Sequence, residues 1–161
     1  MDPHACRSQF ARLLADETAL LSELDQQLQR EHQFLAANDV ESLERAGDAR
    51  QHTVAKLLRI DDERRGLCRL LGRSEDRIGL GALLAWCDPS GSLATAQAAC
   101  TKLAESCRTQ NERNGALVTA RLTRVSGMLD MISTNSTART YQPRAVRGAP
   151  APAGCLVSVS A

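Results

Sequence analysis

The stretch from Cys107 to Ile132 reads CRTQNERNGALVTARLTRVSGMLDMI, and it decides the fold. From Leu93 onward, apolar residues and two asparagines recur every three or four positions, which is the spacing of one helical face. The pattern therefore predicts one long amphipathic helix that ends near Ser133. The members of this seam are Leu93, Ala96, Cys100, Leu103, Cys107, Asn111, Asn114, Val118, Leu122, Val125, Leu129 and Ile132.

Asn111 and Asn114 stand where the seam requires apolar residues, and Gly115 follows them. Three interpretations are open. A polar residue in an apolar seam fixes the register of packed helices at some cost in stability. Asn114 and Gly115 together are also a turn signal, although the apolar period resumes in phase beyond them. In the third interpretation, the two amides contact a partner.

Composition points to helices packed along narrow seams. The chain has 161 residues, which suits one domain, and 43% of them are hydrophobic while only 2% are aromatic. A core of Leu, Ala and Val suits helix packing, whereas a sheet favours β-branched and aromatic residues. The net charge of +1 hides an asymmetry, because residues 16–48 carry nine acidic and two basic residues, and no acid follows Asn135.

The chain in order predicts an all-α fold. Leucine spacing indicates a first helix over 5–36, and a second from about Asn38 to Leu71. Asn38 and Glu41 are expected to cap the second helix. Because the joint is short, these two long helices should form an antiparallel hairpin. A short third helix, from Glu75 to Trp86 with Ser74 as its cap, precedes the long last one.

One domain followed by a tail is predicted from this pattern. Residues 1–133 should form the antiparallel helical domain, with three long helices and one short one. Residues 134–161 are rich in Ser, Thr, Ala, Pro and Gly, include three Arg, and lack apolar periodicity before Cys155. Such a segment does not bury enough surface to offset its ordering entropy, so we expect a flexible, disordered basic tail.

The sequence gives no positive sign of catalysis. No His-Glu-x-x-His pattern, Cys-x-x-Cys pair or Gly-rich phosphate loop is present, so we expect no enzyme activity, metal or cofactor. Nucleic-acid binding is not expected either, because the basic residues lack a helix-turn-helix pattern. The apolar run from Gly79 to Cys87 is too short to span a bilayer, so we expect no membrane insertion. A polar N-terminus and unpaired cysteines suit a reduced, cytoplasmic protein.

Cys107, Asn111 and Glu112, then Asn114 and Gly115, carry a family resemblance. With the apolar pair Leu117-Val118 and the spaced residues Leu122, Val125 and Leu129, this run resembles the FlgN family of bacterial flagellar type III export chaperones. A tail tyrosine follows in that family, and here it would be Tyr141. The family commonly continues with Asp and a nearby Gly, whereas Gln142 and Pro143 follow here.

The resemblance implies a cytoplasmic chaperone for flagellar hook-associated proteins. It would bind the C-terminal helix of these clients, prevent their premature assembly and bring them to the export gate, where the tail tyrosine acts. The alternative is a structural coiled-coil or adaptor protein with no export role. The sequence specifies neither the individual client nor the oligomeric state.

The client site is expected between Leu117 and Tyr141. Leu117, Met128 and Met131 lie beside the seam, and flexible Met side chains suit a surface that accepts a foreign helix. These residues are equally consistent with completing the core, and Leu122, Val125 and Leu129 are expected to serve the core as well. The predicted partner-binding residues are Asn111, Asn114, Leu117, Val118, Arg121, Met128, Met131 and Tyr141.

Overall fold

The structure is a computed structural model that describes residues 2–139, with side chains described for residues 2–133. Within that range the chain is all-α and contains no strand, which confirms the predicted fold class. The tail residues beyond 139, including Tyr141, lie outside the described residues. The four helices are α1 (Pro3–Ala37), α2 (Val40–Leu70), α3 (Arg77–Cys87) and α4 (Ser92–Arg139).

Helix ends follow local capping chemistry, and two predicted caps were wrong by one or two residues. Asn38 does not begin α2; it ends α1 in the left-handed conformation, with φ 59°. Asp39 is the N-cap of α2 and accepts a hydrogen bond from the backbone N–H of Ser42 at 3.0 Å. Likewise, Asp76 caps α3, and Ser74 donates its hydroxyl hydrogen bond to that carboxylate.

The first two helices form the predicted antiparallel hairpin. Glu31 on α1 pairs with Arg50 on α2 at 2.7 Å, and Glu17, further back along α1, pairs with Arg64, further along α2, at 3.3 Å. From the first pair to the second, the residue number falls along α1 and rises along α2, so the two helices run in opposite directions. The turn between them is only Asn38 and Asp39.

By contrast, α4 runs parallel to α1. The Cys107 thiol donates to the carbonyl of Leu21 at 3.4 Å, and seven residues later Asn114 donates to the carbonyl of Leu28 at 2.9 Å. Because the residue number rises by seven on both helices between these two bonds, the helices are parallel. Buried positions recur at seven-residue intervals on both helices. These buried positions are Leu14, Leu21, Leu28 and Leu35 on α1 and Leu93, Cys100, Cys107 and Asn114 on α4.

The chain divides into two units, Met1–Leu122 and Thr123–Ala161. The first unit holds the apolar core, in which Phe10 is the one fully buried aromatic among the described residues. In the second unit, the described residues 123–139 all belong to α4. The predicted helix end near Ser133 was six residues short, because α4 continues to Arg139.

Candidate functional site

Asn114 is a buried polar residue that joins α4 to α1. Its Nδ2 donates to the carbonyl of Leu28, which only accepts, so the orientation of the amide is fixed. Its Oδ1 therefore faces His32 at 3.0 Å, and the Nδ1 of His32 carries the proton in this contact. Both ends of the amide are used within the molecule. Asn111, one turn earlier, is exposed.

Arg121 lies at the turn of the hairpin. Its guanidinium donates to the Oδ1 of Asn38 at 3.1 Å and to the carbonyl of Ala36 at 3.5 Å. A cation at the carboxyl end of a helix meets unpaired carbonyls and the negative end of the helix dipole. Arg121 therefore stabilises the end of α1 and the turn that follows it.

The seam becomes exposed directly after Asn114. Leu117 is half-buried, Val118 is 38% exposed and Leu122 is 63% exposed. This change occurs at the last residues of the first unit. The expectation that Leu122 serves the core was therefore wrong.

In the second unit, the described apolar side chains of α4 are exposed. Val125 and Met128 are each 48% exposed, Leu129 is 58%, Ile132 is 66% and Met131 is 70%. Val125 and Leu129 were expected in the core, and the structure corrects that expectation. A helix normally buries its apolar stripe, so this stripe is available to a partner.

The exposed seam residues keep the spacing of a helix-packing seam. Val118, Leu122, Val125, Leu129 and Ile132 follow one another by four, three, four and three residues, which is the repeat of the a and d positions of a coiled coil. We call these five residues the open seam. Met128 borders it on one side, and Met131 lies farther round the helix in the same direction; both are exposed, and such side chains adapt to varied partner shapes.

Small and charged residues border the open seam. Ser126 borders the seam on the side away from Met128, and it is exposed. The guanidinium group of Arg124 makes no hydrogen bond or ion pair with any described residue. A partner helix can thus approach closely on the small side, while Arg124 favours acidic residues in that partner.

Two further features of the described residues concern metal binding and thiol reactivity. The described residues contain no group of three or more His, Cys, Asp or Glu placed to hold a metal ion. Burial raises the pKa of the Cys6 thiol to about 11, with a further contribution from the neighbouring Cys87. Burial also raises the pKa of the thiols of Cys68, Cys100 and Cys107, which lowers their nucleophilicity.

The family comparison extends over most of the chain. The model of the FlgN protein family matches residues 6–147. The chain belongs to the FlgN family. FlgN proteins are flagellar export chaperones rather than enzymes, and their clients are the hook-associated proteins of the flagellum. No curated protein and no solved structure matches the chain. No helix in residues 2–139 is both long and apolar enough to cross a membrane.

The residues that carry the FlgN resemblance have different roles in the structure. Cys107 and Asn114 face α1 and bond its backbone carbonyls, so they hold the helices in register. Glu112 is exposed and pairs with Arg108 at 2.9 Å. An added methyl at Gly115 would meet no atom within 4 Å, so packing does not require glycine there.

Sequence reasoning identified the site residues on α4 but not their hydrogen-bond partners on α1 and its turn. The pattern did not indicate that His32 bonds to Asn114, or that Arg121 bonds to Asn38. The sequence of a single helix does not determine its register against another helix. The exposure of Leu122 and Leu129 was missed for a related reason. Helical spacing identifies an apolar face, but it does not say where the covering helix ends.

Proposed function

We propose that this FlgN-family chain is a cytoplasmic chaperone that holds the C-terminal helix of a hook-associated protein on the open seam of α4. The observation that carries the proposal is the row of five apolar side chains exposed at coiled-coil spacing. An amphipathic client helix would cover this row and bury its own apolar face in the same step. Covering that face prevents premature assembly of the client.

Client contact is assigned to the exposed residues rather than to every predicted one. Asn114 bonds to α1, and Arg121 bonds to the turn that follows α1. These two residues therefore position α4 instead of contacting the client. Val118, Met128 and Met131 are exposed and apolar, so they supply contact area. Leu117 and Asn111 stand at the near edge of the same surface.

Delivery to the export gate is the second part of the proposal, and it rests on Tyr141. This residue lies outside the described residues, and the family resemblance is what connects it with the gate. We expect Tyr141→Ala to retain client affinity while secretion of hook-associated proteins into the medium falls. Loss of client affinity in that variant would instead place Tyr141 in the client site.

A matched pair of variants tests the client site. Leu129 on α4 is 58% exposed and Leu58 on α2 is 61% exposed, so the two leucines differ in location rather than in burial. Titration calorimetry with a purified hook-associated protein should show that Leu129→Asp weakens binding at least tenfold, or about 1.4 kcal/mol. Leu58→Asp should change the dissociation constant by less than about twofold.

Two results would refute this assignment. If Leu58→Asp weakens binding as much as Leu129→Asp does, the effect is not specific to the open seam. If Leu129→Asp binds like the unmodified chain, the client occupies another surface. Thermal melts of both variants should agree with the parent within a few degrees, because exposed substitutions change stability by only about 0.5 kcal/mol.

A further inference from the structure

The short helix α3 has apolar residues on both of its faces. One face enters the core through Leu83, Leu84 and Cys87. The opposite face is open: Ile78 is 80% exposed and Trp86 is 38% exposed, with Gly81, Ala82 and Ala85 also exposed between them. No charged residue occurs between Arg77 and Asp88. A helix that is apolar all round is normally covered on both sides, so the open face of α3 lacks its second partner.

Unpaired positive charge lies at the start of this face. The guanidinium groups of Arg73 and Arg77 make no hydrogen bond or ion pair with any described residue. The acids next to them are already engaged. Glu75 pairs with Arg69 at 3.1 Å, and the carboxylate of Asp76 accepts the backbone N–H groups of the first turn of α3. Asp88, at the other end of α3, is buried and bonds to Arg7 at 3.3 Å.

The loop that carries Arg73 is packed onto α3. A methyl group added at Gly79 would overlap the backbone carbonyl of Ser74. The absence of a side chain at Gly79 is thus what lets the loop approach the helix. This contact holds the loop that carries Arg73 against the first turn of α3, next to Ile78 in the sequence.

We propose that the open face of α3 docks on the surface of an anionic phospholipid bilayer, with the helix lying in the plane of the interface. Ile78 would enter the boundary between headgroups and acyl chains, where the indole of Trp86 is also favoured. Arg73 and Arg77 would meet the acidic headgroups. With 11 residues, α3 spans about 16 Å, so it lies on the bilayer and does not cross it.

A lipid surface fits these observations better than a protein helix does. Coiled-coil partners are selected by bulky residues at regular a and d positions, as on the open seam. The open face of α3 instead offers one bulky residue at each end and small residues between them. Such a face gains little from interlocking side chains, whereas a fluid interface adapts to it. This docking surface is separate from the open seam and does not depend on the client assignment.

The one tryptophan of the chain reports on this contact directly. The full chain is mixed with vesicles of phosphatidylglycerol and phosphatidylethanolamine, and separately with vesicles of phosphatidylcholine alone. We expect cosedimentation with the anionic vesicles only, weakened by added salt, together with a blue shift of Trp86 emission. Arg73→Gln and Arg77→Gln should each weaken the binding about fivefold.

Ile78→Asp and Leu58→Asp form the decisive pair. Asp at position 78 lies in the first turn of α3, where a carboxylate favours the helix, so this variant should fold. We expect Ile78→Asp to abolish the emission shift and the cosedimentation, while Leu58→Asp retains both. Client affinity, measured by calorimetry, should be unchanged by Ile78→Asp.

Three results would overturn the proposal. Equal binding to neutral and anionic vesicles would remove the role of the arginines. Cosedimentation without a Trp86 shift would place the contact elsewhere on the chain. A Trp86 shift with a purified export-apparatus protein, and none with vesicles, would make α3 a protein-docking surface instead.

Discussion

Replacing Asn114 by Ala tests whether the buried amide in the seam fixes the packing of α4 on α1. The substitution removes the bond to the Leu28 carbonyl at 2.9 Å and the bond to His32 at 3.0 Å. Each intramolecular hydrogen bond contributes about 1 kcal/mol net, so the free energy of unfolding should fall by about 2 kcal/mol. For a chain of this size, that corresponds to a melting temperature roughly 4–8 °C lower.

Asn111→Ala is the matched control for this prediction. Asn111 is the same residue type on the same helix, one turn away, but it is exposed. Its replacement should change the unfolding free energy by less than about 0.5 kcal/mol. Thermal and urea melts followed by circular dichroism measure both variants. Equal melting temperatures for the two variants would refute the register-fixing role of Asn114.

Further predictions concern the fold, its pH dependence and its thiols. Gly79→Ala should lower the unfolding free energy by about 1–3 kcal/mol because of its overlap with the preceding loop, whereas Gly81→Ala, with open space around it, should raise it by up to about 1 kcal/mol in urea melts. The hydrogen bond from the Leu93 amide, and to a smaller extent those from the hydroxyls of Ser90 and Ser92, lower the pKa of Asp88 to about 2. The ionised Asp88 carboxylate therefore stabilises the fold fully above pH 4, and this stabilisation is lost as the pH falls toward 2. Acid titrations of Asp88→Asn should lack this loss. With Cys155 replaced by Ser, Ellman's reagent should react with Cys6 and the other buried thiols only as fast as the protein unfolds.

Periodicity was sufficient to predict the helices because it depends on each segment alone. The seam through Cys100, Cys107 and Asn114 is buried as its spacing predicted, and α4 is continuous through Gly115. That continuity excludes the turn interpretation of Asn114 and Gly115. Packing against α1 outweighs the cost of about 1 kcal/mol for glycine inside a helix.

The candidate site was harder to predict, because exposure depends on which elements lie alongside. Val118 and Leu129 continue the same pattern as Cys107, yet Cys107 is buried while they are exposed. Only the position of the hairpin turn, marked by the bonds of Arg121 to Asn38, shows where α1 ends relative to α4. Cap residues differed from expectation for a related reason, since neighbouring Asn and Asp residues compete for the same backbone groups.

Hydrogen exchange with and without a bound client tests the central claim most directly. The full chain is labelled alone and in complex with a purified hook-associated protein, and backbone protection is compared along its length. We expect the largest gain of protection in residues 118–139, which contain the open seam, because a bound helix suppresses local opening of α4 there. Gains confined to α2 or α3, with residues 118–139 exchanging as in the free chain, would contradict the account.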